Sequence, residues 1–361
     1  MKNTFGNSIS VTLFGESHGE QIGAVLDGMA PGIRVDIDAI AHQLSLRRPS
    51  GRISTSRVET DEFRIVSGVF EGRTTGAPIA ILIPNTNTKS SDYQRGLPRP
   101  GHADYAAYCK YHGYEDYRGG GHFSGRLTAP LVAVGAIARE ALCQKGILIG
   151  THIASLQDLK DVPMMGTAEE CELLLSRSFP VLDPAIEENM KKRIEAVAAE
   201  GDSLGGILET AVLGMPSGVG EPWFDSVESL LSHALFSIPA VKGVEFGDGF
   251  AMAGMHGSEA NDAFCIQDGQ VATVTNHNGG INGGITNGMP LRIRCAVKPT
   301  PSIFKEQTSV SLTEGKEMPL SLRGRHDPAI IHRARIVVDA MVALTLCDLL
   351  AQHYGTDYFI S

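Results

Sequence analysis

The sequence holds one tryptophan, six scattered cysteines with no C-x-x-C pair, and no apolar run near the length of a membrane span. A bilayer-crossing helix needs about 20 apolar residues, so no membrane partner is expected. Without paired spacing, Cys109, Cys143, Cys171, Cys265, Cys295 and Cys347 give no zinc site. No metal is expected, and buried reduced thiols are. Residues 1–11 lack the basic-then-apolar layout of a secretion signal, so the expected location is cytoplasmic. There is no Walker A sequence. Gly247 to Gly254 reads G-D-G-F-A-M-A-G, whose glycine spacing is wrong for a dinucleotide fingerprint.

Lysine is scarce where cations are dense. Residues 1–130 hold 14 Lys+Arg against 13 Asp+Glu, and 11 of the 14 are arginine; the whole chain carries −10. Arginine's planar fork suits phosphate and carboxylate. An acidic protein with an arginine-rich first third points to a pocket for a small anion. A nucleic-acid surface would make the domain basic and would set exposed aromatics beside the cations for stacking. No nucleic-acid partner is therefore expected.

What the chain does have is concentrated between Arg99 and Arg126. R-P-G-H-A-D (Arg99 to Asp104) and R-G-G-G-H-F-S-G-R (Arg118 to Arg126) combine arginines, histidines and a run of three glycines. Consecutive glycines weaken a helix or strand, by about 0.5–1 kcal/mol each, but let backbone approach a ligand closely. His102 is a side chain that exchanges protons near neutral pH. Upstream, G-E-S-H-G (Gly15 to Gly19) sets Ser17 and His18 at the end of a strand. Adjacent residues diverge along a backbone, so the pair reads as an anion-facing donor and a proton donor, not as a nucleophile with its base. Arg47, Arg48, Arg52 and Arg57 crowd a loop shaped by Pro49 and Gly51. Gly279 to Gly288 is a second glycine-rich loop, able to wrap a flat cofactor. G-R-H-D-P (Gly324 to Pro328) precedes the last helix, and Asp327 there is either a turn former or an ionised base.

Periodicity gives strands over 8–14, 63–70, 78–83, 147–154, 207–213, 241–246, 271–275 and 291–297. Helices are expected after Asp36 or Asp38, over 104–114, over 128–144, from Asp183-Pro184 to Glu200, from an Asp225–Glu228 capping box, and over 333–353. Strands and helices mix without βαβ alternation, which favours an α+β fold over a doubly wound sheet.

The ordered set G-E-S-H-G, R-P-G-H-A-D, R-G-G-G-x-x-S-x-R, G-G-I-x-N-G-x-P (Gly283 to Pro290), K-P-T (Lys298 to Thr300) and G-R-H-D-P resembles the chorismate synthase family over essentially the whole chain. The resemblance implies one domain over residues 1–361, a sandwich with helices between antiparallel sheets, assembled as a homotetramer. It implies anti 1,4-elimination of phosphate from 5-enolpyruvylshikimate 3-phosphate, giving chorismate, with reduced FMN as cofactor. No NAD(P)H fingerprint is present, so an external reductant is expected. By resemblance, Ser17, Arg48, Arg52, Arg99, Arg126 and Arg325 bind substrate, with Arg57 the competitor of Arg52. His18 protonates the departing phosphate, His102 protonates the flavin, and Asp327 takes or relays the ring proton. Ser124, Gly125, Gly284, Lys298 and Ser302 contact FMN. The chain departs from the commoner pattern at His122-Phe123, Leu127 and His332.

Overall fold

The computed structural model describes residues 2–49, 51, 53–55, 60–86, 93–322 and 327–360. Two five-stranded antiparallel sheets enclose a layer of helices. In the first sheet the spatial order is Thr4–Phe5, Ser10–Phe14, Gln21–Asp27, Ile79–Pro84, Arg64–Ser67. In the second it is Val241–Phe246, Leu291–Val297, Gly206–Leu213, Leu148–Leu156, Leu159–Lys160. Alternation sets the inner face of the first sheet: Ile22, Ala24 and Leu26 pair with Ile83, Ile81 and Ile79, and all six are fully buried.

The helices are α1 (Ile37–Arg47), α2 (Asp104–Tyr111), α3 (Thr128–Cys143), α4 (Ala168–Ser176), α5 (Pro184–Ala199), α6 (Val227–Phe236), α7 (Gly257–Ala260) and α8 (Ile331–Tyr354). Helix α3 packs on the first sheet and on α8, and α8 packs on the second sheet. Helix α8 is buried on every side from Ile331 to Ala351 save at Arg333, as its all-round apolar sequence requires. Gly135 permits the α3–α8 crossing, because a Cβ there would stand 2.7 Å from the Ala340 Cα. No helix among the described residues is long and apolar enough to cross a membrane.

Local chemistry fixes the boundaries. Asp36 caps α1 by accepting from the Asp38 and Ala39 amides at 3.0 Å. The helix stops at Arg47, and Arg48 turns extended before Pro49. Asp183 caps α5 with Pro184 in the first turn. At α6 the cap is Ser226, not Asp225, which ends a preceding 3-10 turn (Trp223–Asp225). Helix α4, with a Thr167–Glu170 capping box, and the hairpin of Gln307–Ser311 with Lys316–Leu320 were not expected. The thiols also differ from expectation: Cys171, Cys295 and Cys347 are buried, but Cys109 and Cys143 are exposed.

The outer face of the second sheet carries a buried ionic cluster. His152 Nδ1 lies 2.8 Å from Asp161 and Nε2 lies 3.1 Å from Glu209, which also pairs with Arg292 at 3.0 Å. Burial opposes ionisation of His152, yet the two carboxylates outweigh it and raise its pKa. Burial likewise opposes ionisation of Asp161 and Glu209, and their partners hold both low. The His152 contribution to stability is therefore complete below its unfolded pKa of about 6.5 and is lost as pH rises through the folded value. The carboxylate contributions hold above about pH 4 and are lost on acidification through their folded values. Wild type should thus lose thermal stability as the pH rises above about 6.5, whereas His152→Gln should show a flatter alkaline limb and a lower midpoint at pH 6. Parallel melting curves for the two proteins across pH 6–9 would show that His152 carries no such charge.

Candidate active site

The candidate site is built where the N-terminal sheet ends and the glycine run begins. The strand Ser10–Phe14 delivers Ser17 and His18 into a turn, and the Ser17 amide donates to the Gly121 carbonyl at 3.1 Å. The Ser17 hydroxyl donates to the Arg118 carbonyl at 3.1 Å, and His122 Nδ1 lies 2.8 Å from the Gly15 carbonyl. Two motifs about a hundred residues apart thus form one surface. Ser17 Oγ also lies 3.1 Å from His18 Nδ1. The expected divergence of this adjacent pair does not occur, because the turn bends the backbone between them.

Gly119, Gly120 and Gly121 have φ of 62°, 84° and 53°, the left-handed region that side chains resist. The run passes between the two histidines. A Cβ at Gly119 would lie 2.6 Å from Ser17 Oγ and overlap the His18 ring. One at Gly120 would lie 2.9 Å from His102 Cε1. Gly119 and Gly120 are needed because imidazole rings occupy the space a side chain would fill, and Gly121 because the Asp116 carbonyl does.

His102 is oriented by Asp104. Its Nδ1 donates to Asp104 Oδ1 at 2.6 Å, leaving Nε2 for chemistry. Arg99 grips the same carboxylate with two nitrogens, at 2.7 and 2.8 Å, and lies over the Tyr93 ring at 5.4 Å. Burial alone would raise the Asp104 pKa, but Arg99 and His102 hold it far below the ordinary carboxylate range. Tyr93 also meets the His18 ring edge-on at 5.4 Å, so one aromatic links the two motifs. A cavity of about 670 Å³ opens beside them, lined by Arg99, Asp104, Gly120, Tyr93 and further tyrosines.

The K-P-T-P-S segment packs on the R-P-G-H turn. Lys298 Nζ donates to the Gly101 carbonyl at 2.5 Å, and Arg99 Nη1 lies 3.5 Å from Ser302 Oγ. Ser124 accepts from the Arg126 amide at 3.3 Å, and nothing lies within 4 Å of a Cβ built on Gly125. Lys298 and Ser302 set a cation and a hydroxyl beside the turn that carries His102, donors that fit a planar cofactor bearing a phosphate. Gly284 stands apart, packed against Glu221 and Ser226 with φ of 88°.

The remaining arginines meet at Asp61. Arg126 and Arg47 are buried and pair with its two oxygens, Arg47 at 3.1 Å, and Arg48 Nε approaches at 3.9 Å. Asp327 accepts from the Thr55 amide at 2.9 Å and pairs with Arg333 at 2.5 Å. Arg333 in turn donates to the Arg47 carbonyl at 2.6 Å. Beside them His332 lies 2.9 Å from the Ser54 hydroxyl and stacks on Phe179, and burial pushes its pKa down to about 3. Arg52, Arg57 and Arg325 lie outside the described residues.

Sequence reasoning did not single out Asp61, Asp104, Tyr93 or Asn85 as site residues. Asp104 had a signal, being two residues from His102 within one motif. Asp61 had none, since its partners come from two segments remote from it in sequence, Arg47-Arg48 and Arg126.

The chain matches the chorismate synthase family model over residues 9–351. A chorismate synthase of Thermococcus kodakarensis is 46% identical, with 95% of this chain and 96% of the relative covered. One from Aeropyrum pernix is 45% identical, covering 97% and 93%. A crystal structure of chorismate synthase superposes with a TM-score of 0.76 at 30% identity, covering 97% of this chain and 94% of the other. The chain belongs to the chorismate synthase family and is, with it, a lyase.

Proposed function

We propose that this lyase of the chorismate synthase family removes phosphate from 5-enolpyruvylshikimate 3-phosphate by anti 1,4-elimination and releases chorismate, with reduced FMN as cofactor. The observation that carries the reading is the glycine run set between His18 and His102, with Arg99 Nη2 3.5 Å from a Cβ built on Gly120. That arrangement supports reading the histidines as proton-transfer groups and the arginine as an anion-binding group of one site.

The substrate carries a phosphate and two carboxylates. Arg48, Arg99 and Arg126, with Arg52 and Arg325, bind it, and the Ser17 hydroxyl turns from the Arg118 carbonyl to donate at the same place. The departing phosphate gains charge as the C–O bond breaks, so positioned guanidinium groups act most strongly in the transition state. His18 has Nδ1 turned to Ser17, which supports Nε2 as the nitrogen that gives its proton to phosphate. His102, with Nδ1 held by Asp104, would give its proton to the cofactor from Nε2. Lys298, Ser302, Ser124 and Gly125 would hold FMN, and Gly284, packed on Glu221 and Ser226, is left out of that set. When bound, reduced FMN supplies electron density to a ring whose C–H bond is too weakly acidic for a carboxylate alone. Asp327 takes or relays the released proton.

The working form is a cytoplasmic homotetramer supplied by an external reductant. Trp223, Phe224, Phe264 and Ile266 are each more than 70% exposed, apolar surface of the kind that packs against another copy.

Steady-state phosphate release with reduced FMN tests the reading. Arg126→Ala and Arg99→Ala should each raise the substrate concentration for half-maximal rate by roughly 10- to 100-fold, the loss of a charge-assisted contact of about 1.5–3 kcal/mol. Unchanged saturation curves for both would remove the arginines from the site.

A further inference from the structure

Asp61 is the one carboxylate among the described residues on which the arginine cluster converges. Its side chain is wholly buried. Arg126 takes one oxygen, Arg47 the other at 3.1 Å, and Arg48 stands 3.9 Å from the second. Its backbone is left-handed, with φ of 48°, a conformation rare outside glycine, asparagine and aspartate. Arg126 also donates through Nε to Asn85 Oδ1 at 3.0 Å. Asn85 reaches on through Nδ2 to the carbonyls of Glu16 and Gly19, at 3.0 and 2.9 Å, which flank Ser17 and His18. On the other side, Arg333 donates to the Arg47 carbonyl and pairs with Asp327.

We infer that Asp61 is the positioning residue of the site: a resident counter-ion that orients Arg126 and Arg47 and leaves Arg48 facing outward. The inference rests on the proposed reading that the arginines bind substrate oxyanions. Without a carboxylate the forks would repel one another and turn away from a common target. With it, Arg126 is held from two sides, and its orientation passes through Asn85 to the turn carrying the proposed proton donor. Asp61 touches no substrate in this arrangement and acts only through the arginines.

Asp61→Asn tests this, because asparagine keeps the size and tolerates the left-handed backbone. The purified variant should melt below wild type. Inorganic phosphate should raise its melting temperature by more than it raises that of wild type, since an oxyanion replaces the missing counter-ion. Sodium chloride at equal ionic strength should not. The substrate KM should rise toward that of Arg126→Ala, and kcat should fall at least about tenfold. A phosphate shift no larger than that of wild type, or wild-type kcat, would overturn the inference. If the variant does not fold, Asn85→Ala decides. It leaves Asp61 in place but cuts the link to the Ser17–His18 turn, and should lower kcat about tenfold with the melting temperature nearly kept. Wild-type kcat in that variant would overturn the inference. Should wild type release no phosphate from the enolpyruvyl substrate, the proposed function fails while the melting comparison still judges Asp61.

Discussion

Gly119→Ala should fold and bind anions yet lose turnover by roughly 100-fold or more. The added methyl would overlap the His18 ring and lie 2.6 Å from Ser17 Oγ. The ring is the mobile partner, so it yields and the fold survives. The left-handed φ of 62° adds strain of about 1–2 kcal/mol, small for a domain of this size. What changes is the position of the group assigned to protonate the leaving phosphate. A displacement near 1 Å costs about 100-fold in a reaction that depends on alignment. Turnover numbers and melting curves for the variant check this. Wild-type turnover would show that His18 does not act from the position it holds.

Asp327→Asn should lower turnover by roughly 10²–10⁴-fold if the carboxylate takes the ring proton. Asparagine keeps the shape and can still accept from the Thr55 amide, but it has no basicity and no charge for Arg333. The Asp327 carboxylate therefore also anchors Arg333, which holds the Arg47 carbonyl. Some loss of stability accompanies the substitution, about 1–3 kcal/mol for a charged hydrogen bond removed from a largely buried pair. The two roles separate by comparing Arg333→Lys, which keeps a cation beside Asp327. A proton acceptor predicts a severe loss in the aspartate variant and a mild one in the lysine variant. Equal losses, tracking equal falls in melting temperature, would leave Asp327 a structural anchor.

Elements set by local chemistry were legible in the sequence. The capping aspartates Asp36 and Asp183, the stop before Pro49 and the all-round apolar run of α8 needed only neighbouring residues. The hairpin 307–320 was not, because its strands Q-T-S-V-S and K-E-M-P-L are weak in apolar alternation. Helix α4 was missed although Thr167 and Glu170 stand at capping-box spacing. The sandwich itself came from the resemblance, since no local pattern sets which strands become neighbours.

The site divides the same way. The glycine run announced a close approach, and the structure shows that the approaching groups are His18 and His102. Asp104 could be read beside His102, whereas Asp61 emerges only once Arg47, Arg48 and Arg126 have been folded together. Arg99 was expected to face substrate, and in the structure it holds Asp104 with two nitrogens and reaches Ser302 with the third. Its part in binding is therefore tied to the orientation of His102.

The most direct measurement is an anaerobic assay of the full chain with 5-enolpyruvylshikimate 3-phosphate and dithionite-reduced FMN, following chorismate and phosphate together. Both products should appear in equal amounts, and oxidised FMN alone should yield neither. Turnover at the same rate without any flavin, or phosphate released with no chorismate, would contradict the proposed elimination.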